Sequence, residues 1–532
     1  MVADIACLES QTDTLQASWK QAVRQLHQDL GWTEPSFCAK TRVGGLSIAF
    51  DGPIDRLYAG IALAEVAWAC CNGQLPSADD YSHITERAEE EANLALLVLQ
   101  QTAAQKHAAF LWDDDEVSVG YGASARVWPA RSLPAPADIN WSDAHRLPIG
   151  LITGTNGKTT TARMSAQILQ HAGHAVGLTS TEGIWINDRE IDDGDYAGPG
   201  GARLALRQHA ATAAVLETAR GGLLRRGLGI DQADAAVITN IAADHLGDFG
   251  SRTLDELLEI KWIISRAVRE QGTLILNADD DRLVAHAREH AGRLSWFSLD
   301  PDNRTAQFRP VDGWLSREQG KQLHQLCRID EIPLTLNGAA RHNVANALAA
   351  AALCSSLGAD DSAIAAGLTS MRPDDNPGRG NLYELGGVRI MVDFAHNPHA
   401  ISMLAELASA LPAKRRLLAF SQAGDRTDEL LRECARCAWT MRPDRIIISE
   451  LSKYARGRLP GEIFTILRNQ LMDDGCPGPE IIHVDEELEA LNHALDWAQE
   501  GDLLIMLILS DASTVRAHLE QRGAKLSSSR SP

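Results

Sequence analysis

Nothing in the 532-residue sequence is apolar for long enough to cross a bilayer. The longest such runs, Leu503 to Leu509 among them, fall far short of the roughly 20 residues a spanning helix needs, so this one reads as a buried strand and a membrane role is excluded. Met1 to Thr14 carries Asp4 and Glu9 and has no basic start leading into an apolar stretch, so no secretory signal is readable. Basic charge is also scarce. Lys and Arg total 50 against 71 Asp and Glu, a net charge of −21, which disfavours a nucleic-acid or anionic-membrane surface and leaves any anionic ligand dependent on a local pocket. The nine cysteines form no framework, and without a secretory signal they read as reduced thiols of a cytoplasmic protein. Cys434 and Cys437 have CxxC spacing, but no second pair lies near them and thiols without zinc are expected. No internal repeat is present.

What is present is ordinary globular composition, 45% hydrophobic and 23% charged, in a chain long enough for three to four domains at about 150 residues each. Residues 1–145 contain helical patterns at Leu57 to Cys71 and Glu86 to Ala104 and short strand candidates at Leu46 to Phe50 and Glu116 to Tyr121, predicting a small α+β accessory domain. The Pro-rich stretch Pro129 to Asp138 reads as an interdomain connector. Beyond it, the strand-like runs Pro148 to Thr153, Ala214 to Glu217, Ala235 to Asn240 and Thr273 to Asn277 alternate with helix-length segments. This predicts a central α/β domain with a parallel sheet over 146–372. A second break, rich in Pro, Gly and Asp, spans Met371 to Gly380. The alternation then resumes at Arg389 to Phe394, Arg416 to Ser421, Arg445 to Ser449 and Leu503 to Leu509, predicting a C-terminal Rossmann-like α/β domain over 373–520. Residues 521–532, ending in Ser527-Ser-Ser-Arg-Ser-Pro532, read as a disordered tail.

The sharpest local signal is Gly154-Thr155-Asn156-Gly157-Lys158-Thr159-Thr160, between a strand and the helical segment Ala162 to His171. Glycines let backbone N–H groups approach phosphate oxygens, the helix start favours negative charge, Lys158 adds a point charge and Thr159 can hold magnesium. A strict P-loop would place Gly where Ile152 stands, so this is a variant; the plain alternative is a glycine-rich turn with an incidental Lys-Thr pair. Glu217 ends a strand that would deliver its carboxylate beside the phosphates, and His245 follows another strand in a polar turn, a second candidate metal ligand.

These motifs, with Arg341-His342-Asn343-Val-Ala-Asn346 and Val392-Asp393-Phe-Ala-His396-Asn397-Pro in the same order, resemble the Mur ligase superfamily. Leu216 to Gly222, Ala242 to Gly247, Asn376 to Arg379, Gly424-Asp425-Arg426 and Ala455 to Glu462 are most similar to the Mur-ligase-like half of the cyanophycin synthetase branch. The resemblance covers about residues 148 to 520. It implies ATP-dependent joining of a carboxylate to an amine through an acyl phosphate, with ATP and Mg2+ as cofactors and a small molecule or peptide as substrate. Carried over by motif, Gly154, Thr155, Asn156, Gly157, Lys158, Thr159 and Thr160 cradle the phosphates. Thr159 and Glu217 hold the first magnesium, and His245 binds the second, with a carbamylated Lys261 beside it. Asn343 approaches the adenine, and Arg379 and Asp393 close over the nucleotide. Arg220, His396, Asn397, Asp425 and Arg426 face substrate. A helical Lys261 near Glu256 and Glu259 is equally compatible with a solvated side chain, and Arg456 and Arg458 are further candidates for substrate carboxylates or solvated loop residues.

One departure matters. Cyanophycin synthetase also carries an ATP-grasp region ahead of its Mur-like half, and no such segment follows residue 128 here, so the chain is not expected to build the whole polymer alone. Residues 1–145 also lack the Gly-rich fingerprint of a uridine-nucleotide domain. A peptidoglycan or folylpolyglutamate-type ligase, or a non-catalytic nucleotide-binding subunit of an ATP-grasp partner, are the alternatives; the resemblance is compatible with a homo-oligomer.

Overall fold

The strands and helices that the apolar periodicity marks out are largely those of the computed structural model, which describes residues 1–42, 44–244 and 253–527. The candidate His245 lies outside the described residues. Residues 1–147 form the bulk of one unit and residues from Pro148 on the bulk of another.

In the first unit, the antiparallel strands Val2–Ala6, Gly45–Phe50 and Phe37–Arg42 pair in that spatial order. The helices Thr12–Asp29 and Leu57–Cys71 accompany them around Trp19, Leu26, Ile48 and Leu63. The segment Glu86 to Ala104 is not one helix. It divides between Ala78–Glu91 and Leu94–Gln105, because Ala92 leaves helical geometry and the Asn93 side chain accepts a hydrogen bond from the Leu96 amide (3.0 Å), capping a new start. Such a cap contributes about 1 kcal/mol, enough to favour a break where the sequence pattern alone runs on. Nor is the Pro-rich stretch a free connector. Ala130 and Leu133 within it, and Ile139 and Trp141 just beyond it, pack on the core of a second small sheet, Phe110–Trp112, Glu116–Val119 and Arg126–Pro129, because their apolar surface is worth more buried than spanning solvent.

The second unit carries two sheets. The first has at its centre the parallel strands Val176–Ser180, Ala213–Glu217, Ile149–Thr153, Ala233–Ile238, Val268–Asn277 and Arg293–Phe297, in that order across the sheet. Strands covered on both faces need no alternation, and Ile149–Thr153 and Ala213–Glu217 are buried at every position. Short strands that the periodicity did not mark, the hairpin Gly183–Ile186 with Arg189–Asp192 and the meander Phe308–Val311, Trp314–Gln319 and Gln322–Arg328, extend the sheet to eleven. The helix Arg341–Ser356 packs on the helix Lys158–His171, and its run Ala349 to Ala352, wholly buried, is small enough for close approach.

The second sheet orders Ile481–Val484, Arg445–Ser449, Arg416–Phe420, Leu503–Leu507 and Val388–Asp393 in parallel, then adds Arg379–Leu385 and Lys525–Leu526 antiparallel. The last pairing corrects the expected tail: Gln521 ends the helix Ala512–Gln521, and Lys525 and Leu526 hydrogen-bond along the edge at Glu384 and Tyr383. Residues 528–532 lie outside the described residues.

Candidate active site

The loop after Ile149–Thr153 sits where the first sheet reverses its winding, the position at which open α/β sheets bind ligands. Its shape requires glycine twice. Gly154 has φ +148° and Gly157 φ +86°; a Cβ at the first would run into Thr239 Oγ1 and one at the second into the Asn346 side-chain amide. The neighbouring turn, Thr239 to Ala242, holds the loop from the other side. The Asn156 amide donates to Asn240 Oδ1 (2.9 Å), Thr239 Oγ1 and Asn240 Nδ2 both donate to the Asn156 carbonyl (2.6 and 3.0 Å), and the Ala242 amide donates to Thr155 Oγ1 (3.0 Å).

On this frame the charged groups converge. Lys158 Nζ donates to the Thr155 carbonyl (3.0 Å), and Thr159 Oγ1 donates to Glu217 Oε2 (2.9 Å). Glu217 is 1% exposed, and its Oε1 has no hydrogen-bond partner among the described residues. Burial pushes its carboxyl pKa up, opposed by the Lys158 charge and the Thr159 hydrogen bond. A buried carboxylate oxygen left without a donor is costly unless a cation completes it, and a hydroxyl beside a carboxylate is a hard oxygen set suited to Mg2+. Among the described residues no group of three or more His, Cys, Asp or Glu could hold a metal.

Lys261 is not the solvated lysine its sequence context allows. It is 4% exposed and its Nζ donates to the Gly154 carbonyl at 2.7 Å. Burial, reinforced by the Lys158 charge, holds its pKa well below the usual ammonium range against the pull of Asp244; the charge of Arg220, at the start of the helix Arg220–Arg226, acts in the same downward sense.

The second sheet contributes from its own strand ends. Asp393 ends Val388–Asp393 and accepts from the Ala395 amide (2.8 Å); burial raises its pKa to about 6 against the opposing charge of Arg379. Arg379 ion-pairs with Glu182 (3.2 Å), which also holds Arg163 (2.7 Å), and its guanidinium lies 4.6 Å from the centre of the Phe394 ring. The Asn156 and Asn397 amides exchange hydrogen bonds (2.9 and 3.2 Å), and Asn397 also caps the helix Pro398–Ala410. His396 and Arg426 both reach Asp244, at 3.2 and 3.4 Å. Asp425 lies beside Arg426 at 3.9 Å. Thr160 Oγ1 accepts from Asn376 Nδ2 (3.2 Å). Asn343 is turned inward, donating to the Leu334 carbonyl (2.8 Å) and accepting from Asn346 (3.1 Å). Arg458 is neither solvated nor open to substrate: it binds the carbonyls of Gly424 and Arg426 and the carboxylates of Asp428 and Glu462, clasping the loop that presents Asp425.

Glu182, Asp244 and His399, whose ring nitrogen meets Asn156 at 3.0 Å, were not singled out from sequence. Glu182 and Asp244 follow apolar strands at the carboxyl edge, which is the signal that could have marked them.

Residues 152–354 match the Mur ligase middle domain and residues 378–507 the Mur ligase glutamate ligase domain. The chain belongs to the Mur ligase family. Cyanophycin synthetase of Trichormus variabilis is 33% identical over 410 residues, 74% of this chain and 45% of the relative; that of Synechocystis sp. is 35% identical over 409 residues, 74% and 46%. The chain thus spans about half the length of these curated relatives. UDP-N-acetylmuramyl-tripeptide synthetase of Deinococcus radiodurans is 29% identical, covering 70% of this chain and 75% of the relative. E. coli FolC in complex with DHPP and ADP shares the fold at a TM-score of 0.54 and 20% identity, over 71% of this chain and 89% of that one. No helix among the described residues is long and apolar enough to cross a membrane.

Two expected results follow from this geometry. Glu217→Gln keeps the shape and removes the charge, so the magnesium concentration giving half-maximal activity should rise tenfold or more, about 1.4 kcal/mol; an unchanged magnesium titration would show that Glu217 is no ligand. For Asp393, a folded pKa of about 6 against 3.8 means that the native state binds its proton more tightly, so this group's contribution to stability is present below pH 3.8 and is lost as pH rises through 6. Asp393→Asn should therefore raise the melting temperature at pH 8 relative to the parent and leave the difference small at pH 4. Equal shifts at both pH values would refute the raised pKa.

Proposed function

We propose that this chain is an ATP-dependent amide ligase that phosphorylates a carboxylate and lets an amine displace the phosphate. The carrying observation is the buried Glu217 carboxylate, one oxygen on Thr159 and the other without a hydrogen-bond partner among the described residues, beside Lys158 in a glycine loop. In this reading a carboxylate oxygen of the acid attacks the γ-phosphorus of ATP, the bond to the β-γ bridging oxygen breaks, and ADP leaves. The amine nitrogen then attacks the acyl carbon, loses a proton and expels orthophosphate. Lys158 neutralises charge gathering at the β- and γ-phosphates, and the loop amides fix their position. Thr159 and Glu217 would hold Mg2+, which lets two anions, nucleotide and carboxylate, approach each other. Arg379, held by Glu182, and Asp393 stand at the second sheet's edge where they can cover the nucleotide and exclude water that would hydrolyse the acyl phosphate. Lys261, His245, Arg220, His396, Asn397, Asp425 and Arg426 keep the roles the resemblance assigns them.

The identity to cyanophycin synthetases favours an aspartyl or peptide-like acid, with an amino acid as amine and a cytoplasmic setting. A relative solved with Mn, AMPPNP and L-glutamate supports the same classes of nucleotide, metal and amine.

The test is to incubate the purified protein with ATP, Mg2+ and mixtures of amino acids and aspartyl peptides, following product mass and nucleotides by chromatography. ADP, orthophosphate and a new amide are expected. AMP and pyrophosphate would overturn the mechanism. No turnover with any mixture would favour a nucleotide-binding subunit, and a muramyl-peptide or folate product would name a different acid.

A further inference from the structure

Glu487, the first residue of the helix Glu487–Trp497, is 1% exposed. A carboxylate so buried must be satisfied by donors. It accepts five hydrogen bonds from two separate loops: Ser421 Oγ (3.1 Å) on one, and the Leu509 amide (2.7 Å), the Ser510 amide (3.0 Å), Ser510 Oγ (2.9 Å) and the Asp511 amide (3.0 Å) on the other. Three successive backbone amides pointing at one anion form the kind of concavity that elsewhere captures a free anion; here a side chain of the same domain fills it.

Ser421 follows the strand Arg416–Phe420, and Leu509 to Asp511 follow the strand Leu503–Leu507. These strands are neighbours, and their chains leave in opposite directions, the first to Arg445–Ser449 and the second towards Lys525–Leu526. The crevice at such a reversal is where an α/β sheet takes its ligand. Both of its walls are therefore tied to one carboxylate. The wall that begins at Ser421 goes on to Gln422, Asp425 and Arg426, and Arg426 meets Asp244 of the first sheet's turn at 3.4 Å. Gln422, 1% exposed, accepts from Arg426 Nε through its Oε1 (3.3 Å), which orients its amide so that Nε2 is the free donor; no partner for Nε2 exists among the described residues.

We propose that Glu487 is a positioning residue for the amino-acid substrate: through Ser421 it holds the loop 421–427 against the loop 509–511 and so sets the crevice that admits the amine. What the crevice admits rests on the amide-ligase reading; the coupling of the two loops does not.

Two variants test it. Ser421→Ala removes one tie and leaves the amide cluster around Glu487 intact, whereas Glu487→Gln replaces an acceptor oxygen with a donor that opposes the amides. Backbone hydrogen exchange on the full chain, resolved by fragment mass, is read together with kinetics using whichever of the twenty common amino acids the parent turns over fastest. In Ser421→Ala, exchange over 421–427 should rise about three- to tenfold with 509–511 unchanged, the loss of one hydrogen bond. In Glu487→Gln both segments should rise. In both, KM for the amino acid should increase at least about threefold while KM for ATP holds. Unchanged exchange over 421–427 and unchanged KM in Ser421→Ala would overturn the proposal and leave Glu487 as a helix-end acceptor only. If Glu487→Gln does not fold, Ser421→Ala decides alone. If the parent forms no amide with any amino acid, the function reading fails, and the exchange pattern still decides whether Glu487 couples the loops.

Discussion

Lys158→Ala should abolish ligation, by about a thousandfold or more, without unfolding the protein. The lysine begins the helix Lys158–His171 and its ammonium hydrogen-bonds to the Thr155 carbonyl, worth about 1 kcal/mol; its charge also supports the buried Glu217 carboxylate, but it takes no part in the packing of the sheets. The loop itself is held by Thr239, Asn240 and the Ala242 amide, which the substitution leaves untouched. What is lost is the cation that meets charge on the departing nucleotide, and removal of even one neutral donor at a developing charge costs about a hundredfold to a thousandfold in comparable sites. Phosphate release, product mass and a thermal melt on the same preparation check it. A folded variant that ligates at the parent rate would remove the nucleotide from this loop.

The second large effect belongs to Lys261. A carbamate forms only from a neutral amine, and burial with Lys158 nearby lowers the Lys261 pKa, so more of it is neutral at physiological pH than of an exposed lysine. Lys261→Ala should lose activity by about a hundredfold or more, and short-chain carboxylates such as acetate should restore part of it by supplying the missing anion. Removing carbon dioxide and bicarbonate from the parent should lower its activity in the same sense. Loss of activity with no rescue, together with indifference to carbon dioxide, would leave Lys261 only its hydrogen bond to the Gly154 carbonyl, a role in loop shape. Full activity of the variant would exclude both roles.

The loop 154–160 was legible from residues alone because its chemistry is local: two glycines, a lysine and a threonine act through a turn that short-range backbone rules already require. The strand-end place of Glu217 was legible for a related reason, since it closes an apolar run that reads as a buried strand, whereas Asp393 came from the family resemblance and is found to close a strand as well. Parallel strands covered on both faces leave continuous apolar runs, so the α/β class and the main strands along the chain could be read directly, though not their order across the sheets.

The misreadings share the opposite cause. The break at Ala92 and Asn93 turned on a single side-chain cap, and the pairing of Lys525 and Leu526 on an edge strand more than a hundred residues away in sequence, which no local pattern encodes. The apolar members of the Pro-rich stretch pack on the core of the small sheet Phe110–Trp112, Glu116–Val119 and Arg126–Pro129, a surface assembled from other segments of the chain. Lys261 stands open in the sequence between a carbamylated ligand and a solvated side chain, and the same cause lies behind that. Its neighbours Glu256 and Glu259 suit a solvated helix face, yet it is buried against Gly154, 107 residues earlier, and that burial is what lowers its pKa. Periodicity and turn chemistry act over a few residues, so the fold class, the glycine turn and the strand that ends at Glu217 could be read from residues alone. Only tertiary structure decided what surrounds and orients those groups: Glu217 Oε1 without a hydrogen-bond partner among the described residues, Lys261 buried against the Gly154 carbonyl, Arg458 clasping a loop, and Glu487 joining two others. Burial, and hydrogen bonds between segments distant along the chain, exist only once the sheets have closed.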